Sequence, residues 1–292
     1  MSSDDRGGSS QGRGAVVITG ASTGIGRATA RHLDALGFAV FAGVRREQDG
    51  DKLRADASER LTPVLIDVTD GASIRAAAAT VEQAVGERGL AGLVNNAGVA
   101  ISAPLEFIPI EEFRKQIEVN LVGQVAVTQA FIPLLRKAKG RVVNIGSIGG
   151  RVALPLVGPY AASKFGMEGI TDALRRELMP WGISVSILEP GGVATPIWDR
   201  GLSTADTIMR DMPPEAESLY GRRIAAIQKA AAQIARDGMP PEAVAKVIEH
   251  ALTAPRPKTR YLVGRDAKIR ARLSAILPDR VFDRMISRAI GG

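Results

Sequence analysis

The feature that most constrains this chain is a repeated alternation of short apolar runs with longer stretches of helical period. Strand candidates occupy residues 15–19, 39–43, 63–66, 92–94, 141–145 and 183–188, with a late edge run at 261–263. Between them, residues 26–36, 73–85, 110–137 and 160–179 carry apolar side chains at helical spacing. Strands separated by helical crossovers of this length must run parallel. A parallel sheet is covered by helices on both faces, so its strands read as continuous apolar runs rather than alternating ones. Gly37 stands where a helix C-terminal glycine is wanted, just before the second strand. The chain therefore reads as a doubly wound α/β fold in a single domain, residues 14–264. A leader, 1–13, precedes it, and a basic amphipathic helical extension, 265–292, follows.

Composition removes several function classes. Cysteine is absent, so disulfides and thiolate chemistry play no part. His32 and His250 are the only histidines, too few for a histidine-rich metal site. No uninterrupted apolar run reaches the roughly 18–20 residues of a membrane span. The leader lacks the apolar core of a signal peptide and reads as disordered, which makes a cytoplasmic protein the expectation. The net charge of +7 suggests nucleic acid at first, but residues 256–292 hold ten Lys/Arg against three Asp/Glu and so carry the whole excess. Basicity confined to one end is not a groove across the fold, and no nucleic-acid partner is expected.

The segment Thr19–Gly26, TGASTGIG, follows the first strand and opens a helix. Gly20, Ser22, Thr23, Gly24, Ile25 and Gly26 thus form a glycine turn whose free amides can face a diphosphate. On the first strand of an α/β sheet such a turn points to a dinucleotide. The end of the second strand then separates the two nicotinamide dinucleotides. Val44 stands where an acid would hold the adenosine ribose hydroxyls, and Arg45 and Arg46 follow. Arginine pairs well with a ribose phosphate, so NADP is expected, with NAD left open.

Four further motifs sit just beyond strand ends: Asn95-Asn96-Ala97-Gly98, Ser147, Tyr160-Ala-Ala-Ser-Lys164 and Pro190-Gly-Gly-Val-Ala-Thr195. In this order, with the glycine turn, they resemble the short-chain dehydrogenase/reductase family over essentially residues 14–265. The resemblance implies a Rossmann-type sheet and an alcohol–carbonyl oxidoreductase. Residues four apart share a helix face, so Tyr160 and Lys164 can serve one site. A tyrosine titrates near pH 10, and a nearby ammonium favours its phenolate. Tyr160 is then the acid and base, and Ser147 orients the substrate oxygen. By resemblance, Asn120 is the fourth catalytic member, holding a water that connects Lys164 to solvent, and Lys164 also holds the nicotinamide ribose. Asp67 and Val68 match the pair beside the adenine, and Ala97 and Gly98 the lining of its ribose. Pro190, Gly191, Val193 and Thr195 match the nicotinamide cradle, and Asn95 a residue that ties neighbouring strands.

Substrate choice lies between Ser147 and Tyr160 and in the insertion after Thr195. The first offers Val152, Leu154, Leu156 and Val157; the second offers Ile197, Trp198, Leu202, Met209, Met212 and Leu219. Such a lining suits a bulky apolar alcohol or ketone, of the steroid, retinoid or long-chain carbonyl kind. The runs GFAVFAGVRR and PRPKTRYLVG are similar to the hydroxysteroid and retinol dehydrogenase branch. Two alternatives stay open: an NAD-preferring alcohol dehydrogenase of the same fold, and a non-catalytic dinucleotide sensor. A homodimer or homotetramer is expected. In the extension, Val281, Phe282, Met285, Ile286 and Ala289 share one side and Arg280, Arg284 and Arg288 another. Peripheral membrane contact is open, but docking on the domain or on a second subunit is the reading adopted.

Overall fold

The computed structural model describes residues 13–290. Seven strands, β1 (Ala15–Ile18), β2 (Ala39–Val44), β3 (Leu61–Leu65), β4 (Gly92–Asn95), β5 (Arg141–Ile145), β6 (Ser184–Pro190) and β7 (Arg260–Val263), form one sheet in the order β3-β2-β1-β4-β5-β6-β7. Every pairing is parallel. The order reverses between β1 and β4, which opens a crevice at the carboxyl ends of the strands. The crossovers supply α1 (Gly24–Ala35), α2 (Glu47–Arg54), α3 (Gly71–Val85), α4 (Ile110–Ile117), α5 (Gly123–Ala138) and α6 (Gly158–Leu178). Beyond β6 come α7 (Ile197–Arg210), α8 (Pro214–Asp237) and α9 (Pro241–Thr253), and beyond β7 come α10 (Arg265–Ile276) and α11 (Asp279–Ala289).

The core has two layers because successive side chains of a strand point to opposite faces. Val16 and Ile18 pack with Leu33 of α1 and Ile248 of α9, whereas Ala15 and Val17 pack with Val81 of α3 and Phe131 of α5. Burying each large apolar side chain contributes about 1.5–3 kcal/mol, so both helical layers are needed to hold the sheet. Gly37 has φ +88°, the conformation its place after α1 requires. Pro63 does not delay β3 as the sequence suggested. It lies within an edge strand that pairs with β2 alone, so its missing N–H disrupts no second ladder.

Several expectations change. Residues 1–12 of the leader lie outside the described residues. Arg13 already belongs to the domain, its N–H donating to the Gly37 carbonyl at 3.3 Å. The stretch Ile110–Ala138 is a continuous helix, long and apolar enough by length and composition to cross a bilayer. Its middle is one π-turn, Glu118–Val122, and its apolar side instead fills the core through Val127, Phe131, Leu134 and Leu135. The insertion after Thr195 is helical. Its two ends meet where Val193 pairs with Met239 and the Ala194 N–H donates to the Met239 carbonyl at 2.9 Å. The extension is only half docked. Ala267, Ala271, Phe282 and Ile286 pack against Ile148, Val152 and Leu154, while Ile269, Ile276, Val281 and Met285 face solvent.

Candidate active site

The crevice at the switch point is a cavity of about 1010 Å³. Its floor is the glycine turn. Gly20 has φ +65°, and a Cβ on it would lie 2.8 Å from Ala97 Cα. A Cβ on Gly26 would lie 2.3 Å from the Gly20 carbonyl oxygen, so α1 starts tight beneath the turn. Gly26 shapes this cradle from below, whereas Gly20, Ser22, Thr23, Gly24 and Ile25 line the cavity. No side chain caps the N-terminus of α1, and the turn leaves room for a diphosphate against the backbone.

The neighbouring loop is held by residues that the motif alone does not reveal. Thr19 Oγ1 accepts from the N–H groups of Asn96 and Ala97 at 2.9 and 3.0 Å, and Asn96 Nδ2 donates to the Thr19 carbonyl at 2.9 Å. Asn95 is buried behind this loop and donates to Thr128 Oγ1 and Asn144 Oδ1, both at 2.8 Å. It ties β4 to β5 and α5 and does not reach the cavity wall; Asn96, Ala97 and Gly98 do. Gln116, Asn120 and Gln124 recur every fourth residue and form a polar ladder on this backbone. Gln116 Nε2 and Asn120 Nδ2 each donate to the Val99 carbonyl at 2.9 Å, and Gln124 Nε2 donates to that of Ala97. The spacing Q-x₃-N-x₃-Q inside an apolar helix was the sequence signal for it.

The catalytic set converges on the same cavity, whose wall includes Asn120, Ser147, Tyr160 and Lys164. Ser147 follows β5 and its Oγ accepts from the Gly149 N–H at 3.0 Å, which fixes the hydroxyl beside that of Tyr160. The Ser147 hydroxyl acts on that of Tyr160 to favour its ionised form. Tyr160 stands in the first turn of α6, after Pro159. One turn on, Lys164 is buried and its Nζ donates to the Ile145 carbonyl at 2.7 Å, 5.7 Å from the Tyr160 ring centre. Asn120 sits in the π-turn. Its Oδ1 accepts from the Val99 N–H at 2.9 Å, and its Nδ2 also donates to Ser163 Oγ at 3.2 Å. Ser163 Oγ in turn donates to the Tyr160 carbonyl at 2.7 Å. Asn120 thus links the loop after β4 to the start of α6. π-turns of this kind recur at functional sites.

Electrostatics depart from the sequence expectation. Burial pushes the Tyr160 hydroxyl above its ordinary range despite the opposing influence of the Ser147 hydroxyl. Burial also pulls Lys164 down to about 8. Desolvation penalises the charged form of each group, and it is the largest influence on both.

At the adenosine end the wall contains Gly43, Val44, Arg45, Asp67 and Val68. Arg46 is exposed and does not line the cavity; its backbone begins α2. Partial burial acts to raise the pKa of Asp67. Hydrogen bonds from Thr69 and the charge of Arg45 outweigh it, and the carboxyl lies below its ordinary value. At the other end, Pro190, Gly191, Val193 and Thr195 line the wall. Sequence reasoning missed Asp266, whose Oδ2 accepts from the Gly192 N–H at 2.9 Å and steadies this segment. The apolar part is formed by Val152, Leu154, Leu156 and Val157 and by Ile197, Trp198, Leu202 and Met209. Met212 instead packs behind the wall with Ile101 and Ile208, and Leu219 faces solvent; α8 supplies Ile224, Ile227 and Ile234 in their place. Leu156 holds φ +66°, locked by two hydrogen bonds to its carbonyl from the Ala103 N–H and Ser102 Oγ, at 2.8 and 3.0 Å.

The family model described as short chain dehydrogenase matches residues 14–205. Retinol dehydrogenase 5 of Mus musculus is 40% identical over 281 residues, 93% of this chain and 87% of that protein. An NADPH-dependent 3-dehydrocapnine reductase of Ornithobacterium rhinotracheale is 37% identical over 274 residues, 92% of this chain and 94% of that protein. Among solved structures, a short chain dehydrogenase/reductase from Burkholderia phymatum in complex with NAD superposes with TM-score 0.76 at 25% identity, covering 96% of each chain.

Proposed function

The chain belongs to the short-chain dehydrogenase family, in the branch of the retinol and hydroxysteroid dehydrogenases, and we propose that it moves a hydride between NADP(H) and an apolar alcohol or ketone, with Tyr160 as acid and base. Its class is that of the NAD(P)-dependent dehydrogenases and reductases acting on alcohol groups. One observation carries the finer reading: Ser147, Tyr160 and Lys164 line one cavity whose far wall is apolar.

The glycine turn fits a dinucleotide, because its closest backbone approaches are ones a Cβ would block. Gly20–Gly26 would hold the diphosphate, Asp67, Val68, Ala97 and Gly98 the adenosine, and Lys164 with Pro190–Thr195 the nicotinamide half. When bound, the nicotinamide supplies or accepts the hydride. Ser147 then holds the substrate oxygen, and Tyr160 delivers or takes its proton. Burial keeps the Tyr160 hydroxyl protonated at neutral pH, which suits proton delivery to a carbonyl and favours reduction. Lys164, at about 8, remains mostly an ammonium there. Asn120 is a positioning residue that sets the start of α6.

Support for NADP is Arg45 on the wall at the end of β2, where Val44 replaces an acid. Support for a retinoid, steroid or long-chain carbonyl is the lid wall of Trp198, Leu202, Met209 and Ile234. The working form proposed is a homodimer or homotetramer, supported by the exposed apolar side chains Leu105, Ile110, Val122 and Phe165. The proposed compartment is the cytoplasm, in keeping with a chain free of cysteine. The test is a panel of retinoids, hydroxysteroids, aliphatic ketones and polar sugars, read by nicotinamide absorbance with each cofactor. Turnover of the apolar members, faster with NADPH, is expected. Turnover of polar sugars alone, or of nothing, overturns the reading.

A further inference from the structure

The lid touches the phosphate turn through one side chain. Arg200, on α7, donates from Nη2 to Thr23 Oγ1 at 2.9 Å, across 177 positions of sequence. Thr23 is the residue from which α1 starts, and its hydroxyl makes no capping hydrogen bond to that helix. Arg200, Thr23, Gly24, Thr195 and Pro196 all line the one cavity. A Cβ on Gly24 would lie 3.1 Å from Thr195 Cγ2, so the root of the lid already presses on the turn. The partner of Arg200 is thus a neutral hydroxyl at the place where a diphosphate would rest. Its charge is unspent.

Two other contacts tie α7, the helix that carries the exposed Arg200, to the body. Trp198 Nε1 donates to the Val193 carbonyl at 2.8 Å, pinning the first turn of α7 to the nicotinamide segment. The lid's base is closed by the Val193–Met239 pairing. Between these anchors, α7 and α8 bring Leu202, Met209, Ile227 and Ile234 to the apolar wall. A force on Arg200 therefore acts on the helix that carries the substrate wall.

We propose that Arg200 is a diphosphate latch: its guanidinium, held at Thr23, binds the diphosphate of the dinucleotide and couples cofactor binding to closure of α7–α8 over the substrate site. The inference rests on the dinucleotide site proposed above. Guanidinium–phosphate hydrogen bonds are charge-assisted and bidentate, stronger than the bond to Thr23, so the exchange favours the cofactor.

The test uses the full chain. NADPH and NADH affinities are measured by nucleotide fluorescence for the wild type, Arg200→Met, Arg200→Lys and Arg45→Ala, with hydrogen exchange of residues 197–238 followed with and without NADPH. Arg200→Met is expected to weaken both nucleotides by the same factor, about tenfold or more, and to abolish the protection NADPH gives the lid. Arg200→Lys should recover part of both effects, which also shows that the fold tolerates the site. Arg45→Ala should weaken NADPH alone. Wild-type affinities or wild-type lid protection in Arg200→Met overturn the latch. So does a loss confined to NADPH, which would assign Arg200 to the ribose phosphate. Failure of the wild type to bind either nucleotide would instead sink the dinucleotide site itself.

Discussion

The floor and the roof of this cavity are built on different principles. On the floor, each polar group is fixed by a short hydrogen bond from a buried neighbour: Thr19 to the loop after β4, Asn120 to Val99, Lys164 to Ile145. Their partners lie at or just beyond strand ends in a doubly covered sheet, which cannot shift without disturbing both layers of core. The roof is made of α7, α8 and the two helices after β7, and among the described residues its side-chain hydrogen bonds to the body are few: Trp198 to Val193, Arg200 to Thr23, Tyr220 to Glu106 and Asp266 to Gly192. Rigid parts position a proton to a fraction of an ångström; loosely tied helices accept substrates of different shape. The chemistry therefore belongs to the floor and the choice of substrate to the roof.

Perturbing the floor should cost rate, and the largest effect is at Tyr160. Tyr160→Phe removes the transferable proton while keeping the ring, so turnover should fall by roughly 10²–10⁴-fold with cofactor affinity nearly unchanged. Single-turnover rates and nucleotide titrations check this; a variant with a tenth of normal turnover or more would contradict the assignment.

Truncation after Gly264 sets the two regions against each other. It uncovers Ile148, Val152 and Leu154 and frees Gly192 from Asp266. The expected result is a loss of roughly 3 kcal/mol or more, read as a lowered denaturation midpoint, together with weaker nucleotide binding. Truncation after Ile276 removes only α11, whose Val281 and Met285 already face solvent, and should cost much less. The same two truncations separate the fates of the exposed basic face. Salt-sensitive binding to anionic vesicles that is lost with α11 means a membrane surface, whereas a change in solution mass means a second subunit.

Arg45→Ala should weaken NADPH by about 1.5–3 kcal/mol and leave NADH nearly untouched, the scale of a charged hydrogen bond. Equal loss of both would remove this arginine from phosphate recognition. On the roof, Met209→Ala should raise KM for a long apolar ketone severalfold while sparing kcat on a short soluble one, because it trims the wall and not the proton path. An equal fall in kcat on both would show that roof and floor are not separable.

The smallest effect concerns pH. Tyr160 stays protonated through the neutral range, and Lys164 loses its charge as pH rises through about 8. The reductive rate should therefore be level from pH 6 to near 7.5 and decline above about 8. A rate that rises through that interval would mean that the ionised phenol, not the hydroxyl, drives the measured direction.

Much of the floor was legible before any coordinates. The glycine turn, Ser147, Tyr160 and Lys164 all reach the crevice because each motif follows a strand run, so adjacency in sequence fixes adjacency to the crevice. Arg46 was grouped with the phosphate site although it faces solvent, whereas Asn95, read as tying neighbouring strands, does so from behind the loop. A motif names a segment, but which side of the backbone a residue takes depends on packing. The roof was read least well. Met212 and Leu219 were assigned to the wall, and Ile224, Ile227 and Ile234 of α8 were overlooked. An amphipathic helix shows that it has an apolar face without showing what that face meets.

Local chemistry determined the strands, the parallel sheet and the motifs that carry a proton and a dinucleotide, because these depend on period, glycine freedom and short spacing along the chain. Only the tertiary structure decided the burial of Tyr160, the joining of Arg200 to Thr23 and the use of Asp266 as a brace. Burial and long-range contact are properties of the closed fold. Neither is carried by any short stretch of the chain.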